Sequence, residues 1–200
     1  FLWYLLQDLS RQNVSRVVIS TGYKKEMFRE QISEDDFDFE IEYSEENEAL
    51  GTGGAVRLAL EKTQSKDVLL CNGDTLYRIN LDEYLQFHRA HKSELSIALK
   101  WMDKADRYGV VACDRETERI QKFLEKAPKS KGWINTGMIL LNRSLAKTFP
   151  GQKSFSFERE FLSPRASQIQ AFGFKTDGYF IDIGIPESFE QAQKEIPKQF

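Results

Sequence analysis

Apolar positions change their period from segment to segment along this chain, and the changes mark out its elements. Phe1, Leu2, Leu5, Leu6 and Leu9 fall on one helical face, with Gln7, Asp8 and Arg11 off it. Ser15 to Ser20 (SRVVIS) reads as a strand closed by Gly22, and Lys24 to Ile32 as a short helix. Phe37 to Tyr43 alternates aromatic and aliphatic residues with acids, the period of a half-exposed strand. Gly53 to Lys62 predicts an Ala/Leu-rich helix, Asp67 to Cys71 a short buried strand, Asp82 to His91 a helix and Leu95 to Lys100 a strand. This β-α-β-α rhythm predicts a mainly parallel sheet flanked by helices.

The texture changes from Tyr108 onward. YGVVACD, RIQKFLEK and WINTGMILLN are strand-like runs separated by turn residues, so an antiparallel or mixed extension is expected. Helices return at Ser156 to Leu162 and at Pro186 to Glu195, the second with proline in its first turn. Neither repeats nor a linker interrupt residues 1–200, which are read as a single domain.

Two aspartates stand where apolar runs leave the core. Asp74 follows VLLCNG and Asp182 follows GYFI. In open α/β sheets ligands gather at strand ends, and two carboxylates there suit a divalent cation carrying phosphate. For either Asp alone, a turn cap explains the residue equally well. The segment Glu48 to Ala55 (EALGTGGA) supplies three glycines ahead of a helix, so a base or phosphate can approach its N–H groups. A tight helix-entry turn is the plainer alternative. Glu125 and Lys126 end a strand with opposite charges that face opposite sides, suited to a sugar hydroxyl and a phosphate or simply to water. Asn135 places an amide in an apolar strand, where a sugar hydroxyl or a neighbouring backbone group must satisfy it. His88 and His91 are read as surface residues and not as a metal pair.

Composition narrows the class. Hydrophobic residues make up 40% of the chain and the net charge is −3 with both signs interspersed, so no basic face for nucleic acid is indicated. No apolar run reaches membrane-spanning length and no signal peptide is evident. Cys71 and Cys113 lie within apolar runs and read as reduced thiols, which suits the cytoplasm. A homo-oligomer stays open, since Phe155 and Phe157 fit an interface or the underside of the last helix.

Taken in order, EALGTGGA, LLCNGDTL, RYGVV, FLEK, WINTGMILL and YFIDIGIPE resemble the motif set of the sugar-1-phosphate nucleotidyltransferases. Within that family, RYGVV, the INTG strand, FSFEREFL and YFIDIGIPE look closest to the heptose 1-phosphate guanylyltransferases. The resemblance implies a Rossmann-like, glycosyltransferase-A type fold. It also implies GTP or another nucleoside triphosphate and a sugar 1-phosphate as substrates, with Mg²⁺ as cofactor. Asp74 and Asp182 would be the Mg²⁺ ligands, and Leu50, Gly51, Thr52, Gly53 and Gly73 would hold the nucleotide. Gly109, Glu125, Lys126 and Asn135 would meet the sugar phosphate. The family opens with a strand, a glycine-rich loop containing Arg and a Lys-Pro segment, and none of these stands before Phe1. The chain is therefore expected to be a fragment lacking that strand and loop, with negligible catalysis if it truly starts at Phe1. A non-catalytic nucleotide- or sugar-binding module is the alternative of another class. A related glycosyltransferase is less suited, because Asp74 lacks the neighbouring acid of an Asp-x-Asp pattern.

Overall fold

A computed structural model of the chain describes residues 1–22, 25–124, 128 and 130–200. The Glu125–Lys126 pair lies outside the described residues, as does the start of the expected helix at Lys24. The chain divides into two compact units: Phe1–Leu5, Leu69–Leu141 and Ala166–Phe200 form the first, and Leu6–Val68 with Asn142–Arg165 the second. Helix α1 (Leu2–Ser10) contributes to both. Its Leu5, Leu6 and Leu9 are buried, as the apolar face predicts.

The second unit holds β1 (Arg16–Thr21), α2 (Lys25–Gln31), β2 (Glu40–Glu45) and α3 (Gly51–Glu61). Strands β1 and β2 pair in parallel, Arg16 opposite Glu40 through Thr21 opposite Glu45. That register corrects the expected Phe37–Tyr43 strand. A ladder begins and ends where its partner does, and β1 starts only at Arg16. Phe37 and Phe39 instead stack on one another with ring centroids 5.1 Å apart. Glu42 accepts from Lys62 and Arg16, which in that order hold its carboxyl below the usual carboxylate range. Farther on, Phe157–Leu162 is a π-helical turn leading into α5 (Ser163–Arg165), with Ser156 as its N-cap. Phe155 and Phe157, expected to be exposed or to lie under the last helix, are buried with Phe149 and Phe161 in an edge-to-face aromatic cluster.

The first unit is organised by β3 (Asp67–Cys71), β5 (Leu95–Met102), β6 (Val110–Cys113), β7 (Ile120–Leu124), β8 (Gly132–Asn142) and β9 (Ala171–Lys175), in the order β7-β6-β8-β5-β9 with β3 also on β8. The pairing β5–β9 is parallel, whereas β5–β8, β6–β7 and β6–β8 are antiparallel. The architecture is the expected mixed α/β one, with the antiparallel share larger than the mainly parallel forecast. The connection from β6 to β7, residues 114–119, is short, and short connections join antiparallel neighbours. A bridge between Arg119 and Phe172, with Gly173 N–H donating to Glu118 C=O at 2.9 Å, curls the hairpin back onto β9.

A separate two-stranded ribbon joins β4 (Thr75–Arg78) to β10 (Tyr179–Asp182), and Leu76 and Ile181 from it pack with Leu5, Ala192 and Ile196. Helix α4 (Leu81–Ala90) is capped by Asn80, whose side chain accepts from the N–H groups of Asp82 and Glu83. α6 (Pro186–Glu195) closes the unit. His88, expected at the surface, is 2% exposed, and its Nδ1 lies 2.8 Å from Ser96 Oγ. The error has a clear cause: Gln86, Arg89 and Lys92 flank it in sequence, yet His88 shares the face of Tyr84 that packs on β5. Among the described residues no helix is long and apolar enough to cross a membrane.

Both cysteines are free thiols. Burial pushes the Cys113 thiol up to about 11, against an ordinary value of 9.0. A folded-state value raised above the unfolded one means stability that is whole below about pH 9 and drains away as pH climbs toward 11. Urea midpoints measured at pH 8 and pH 10.5 should therefore fall for the wild type, and fall less steeply for Cys113→Ala.

Candidate active site

The turn Asn72-Gly73-Asp74 and the end of β10 meet through backbone pairing. Asp182 lies opposite Thr75 in the β4–β10 register, and Ile183 N–H donates to Asp74 C=O at 2.9 Å. The two acids predicted from separate strand ends are thereby brought to one end of one ribbon. Asp74 Oδ1 accepts from Thr75 Oγ1 at 3.2 Å. Asp182 Oδ1 accepts from Gly184 N–H at 3.2 Å and from Arg107 Nη2 at 2.8 Å. Hard, anionic oxygens on a pair of carboxylates fit Mg²⁺, which keeps several waters and takes its remaining ligands from substrate phosphates. Among the described residues no group of three or more His, Cys, Asp and Glu side chains could hold a metal.

The Asp74 turn is held from beneath by β8. Asn72 N–H donates to Gly137 C=O at 3.2 Å, and Gly137 has a positive φ of 77°. A Cβ on Gly137 would run into the Asn72 side chain. Asn135, two residues earlier, accepts from Gly137 N–H through its own Oδ1 at 3.0 Å. The amide thus has a backbone partner, the plainer of the two expected, and remains half-buried. Gly73 is exposed, with open space around its Cα. Gly109 opens the β6 side of this unit, where a Cβ would stand 3.4 Å from Leu124 C=O.

The glycine segment lies in the second unit and is organised differently from the expectation of free N–H groups. α3 starts at Gly51, not Gly53. Gly53 N–H donates to Phe155 C=O at 2.8 Å, Phe155 N–H returns to Leu50 C=O at 3.0 Å, and Thr52 Oγ1 accepts from Phe157 N–H at 2.9 Å. Gly53 and Gly54 are buried, and a side chain at Gly53 would overlap the Phe155 ring. Gly51 has a φ of 65°, with Phe155 C=O only 2.7 Å from where its Cβ would stand. These glycines therefore admit a neighbouring segment to the first turn of α3. Gly51 and Thr52 remain exposed to solvent, while Leu50 is buried.

Arg107 joins the site from a position that the sequence does not mark. Nothing in RYGVV marks its arginine, because only the fold brings it to Asp182. Tyr108, beside it, stands edge-on to Phe180 with centroids 5.9 Å apart. Burial, and then the negative charge of Asp182, push the Tyr108 phenol upward.

Residues 1–199 match the model of the nucleotidyl transferase family, and the chain belongs to that family. It is 39% identical over 98% of its length to a D-glycero-alpha-D-manno-heptose 1-phosphate guanylyltransferase of Aneurinibacillus thermoaerophilus, covering 84% of that protein. A protein of the same name from Campylobacter jejuni is 36% identical over 94% of the chain, which covers 82% of it. The crystal structure of HddC from Yersinia pseudotuberculosis superposes with a TM-score of 0.87 at 30% identity, over 100% of this chain and 85% of that one. A second HddC structure, complexed with GMP-PN, gives the same TM-score at 31% identity.

Gly137→Ala should disturb the Asp74 turn through the left-handed backbone and the Asn72 contact. The expected cost is about 1–3 kcal/mol, read as a lower urea midpoint, together with reduced turnover. An unchanged midpoint and unchanged turnover would show that the turn does not depend on this approach.

Proposed function

We propose that this protein transfers a nucleotidyl group from a nucleoside triphosphate, GTP, to a sugar 1-phosphate of the heptose or mannose type. The sugar phosphate oxygen attacks the α-phosphorus, the α–β phosphoanhydride bond breaks, and pyrophosphate leaves as the nucleotide sugar forms. The carrying observation is the junction of Asp74 and Asp182 at the end of the β4–β10 ribbon, in a chain of the nucleotidyl transferase family. The names of its guanylyltransferase relatives support guanine and a heptose. Free cysteines support a reducing, cytoplasmic setting.

In this reading Asp74 and Asp182 hold Mg²⁺. The ion neutralises phosphate charge when bound. Leu50, Gly51, Thr52 and Gly53 bind the base and ribose from the first turn of α3, and Gly73 lets the nucleotide pass close to the backbone. Gly109 and Asn135 face the sugar phosphate, with Glu125 and Lys126 assigned to the same role by resemblance alone. The chain supplies no covalent step. Positioning of an in-line attack and neutralisation of charge account for the rate.

Asp74→Asn and Asp182→Asn should each lower pyrophosphate release from GTP and heptose 1-phosphate by at least about 100-fold, with folding intact. Turnover retained in the double variant would remove the metal assignment. A panel of NTPs and sugar phosphates tests the base and the sugar.

A further inference from the structure

Arg107 is built into its position against Asp182 and does not reach it from a free loop. Ala105 is fully buried, and its N–H donates to Ser130 C=O at 2.8 Å. Tyr108 N–H folds back to Ala105 C=O at 2.9 Å, closing the turn that carries Arg107. The guanidinium lies 5.5 Å from the centroid of the Tyr108 ring, and that ring rests on Phe180, the cross-strand partner of Tyr77. From this seat Nη2 reaches Asp182 Oδ1.

The ion pair is 41% exposed on the arginine and 21% on the aspartate, so it adds little to stability. Its consequence lies in what it does to Asp182. A carboxylate already neutralised by a guanidinium attracts a second cation less, and Oδ1 is already taken by two donors. A cavity of about 350 Å³ beside the pair, lined by Lys104, Tyr108, Ser188 and Gln191 among others, leaves the guanidinium room to move.

Resting on the metal reading above, we propose that Arg107 is the resident counter-cation of Asp182. It holds the carboxylate in the ligand-free protein and gives it up when the divalent ion arrives with phosphate. The released guanidinium then turns its N–H donors to the phosphate oxygens, the geometry for which arginine is best suited. Arg107 thus keeps the ion from settling before substrate and meets the phosphate once the ion has bound. Lysine in its place would keep the charge and lose the two-pronged donor geometry.

Mn²⁺ binding, followed by the electron paramagnetic resonance signal of the free ion, tests this without turnover. Without nucleotide, Arg107→Ala should bind Mn²⁺ about 3–10-fold more tightly than wild type, a modest factor because the pair is partly solvated. Arg107→Lys should fall between the two. With a sugar 1-phosphate or nucleotide present, the advantage of Arg107→Ala should vanish or reverse. Arg107→Ala that binds Mn²⁺ no more tightly than wild type overturns the inference, whatever its melting temperature does. Asp182→Asn separates the two failures. If it binds as wild type does, the metal assignment falls as well; if it binds weakly while Arg107→Ala is unchanged, only the role of Arg107 falls.

Discussion

The antiparallel register of β4 with β10 is the constraint on which the candidate site depends. Asp74 precedes the first residue of one strand and Asp182 is the last residue of the other, so their meeting follows from Thr75 lying opposite Asp182. A slip of one residue would turn Leu76, Tyr77 and Ile181 away from their apolar neighbours and carry Asp182 to the other face. Leu76 and Ile181 bury into the cluster with Leu5, Ala192 and Ile196, and Tyr77 hydroxyl donates to Thr176 C=O at 2.7 Å. The polar end of the ribbon is therefore held in register by its apolar length. The same ribbon seats Phe180, on which Tyr108 and then Arg107 rest.

Glycine serves this protein in two different ways. Gly137 combines a left-handed backbone with close approach, letting Asn72 lie flat on β8 and setting the start of the turn that displays Asp74. In the second unit, Gly53 and Gly54 give up side chains to admit Lys153–Phe155 onto the first turn of α3. A cluster of glycines before a helix thus has a packing role that composition does not distinguish from a ligand role. Exposed Gly51 and Thr52 are the part of the segment still open to a ligand.

Much of this organisation could be read from residues alone. Hydrophobic period placed α1, α3, α4, α6, β3, β5 and β8 near their observed bounds, because each sets apolar positions against polar ones in a pattern that sequence displays directly; β3, expected to be buried, is half-buried along its whole length. The apolar runs before Asp74 and Asp182 likewise marked both as strand-end acids. Where period misled, the deciding partner was distant. The start of β2 follows β1, His88 is buried by Ser96 and its strand, and Phe155 with Phe157 finds Phe149 and Phe161. The four-residue β4 carries too few residues to show a period, and Gly173 interrupts the apolar run of β9.

Sequence by itself determined most of the elements, the two candidate metal acids and the motif order that marks the family. Tertiary structure alone decided that those acids share one end of a ribbon, that Asn135 spends its carbonyl on Gly137, and that Arg107 neutralises Asp182. The physical reason is the range of the interactions. Helix and strand patterns arise between residues a few positions apart, whereas a hydrogen bond spanning 75 positions, as between Arg107 and Asp182, exists only after the sheet has set its register.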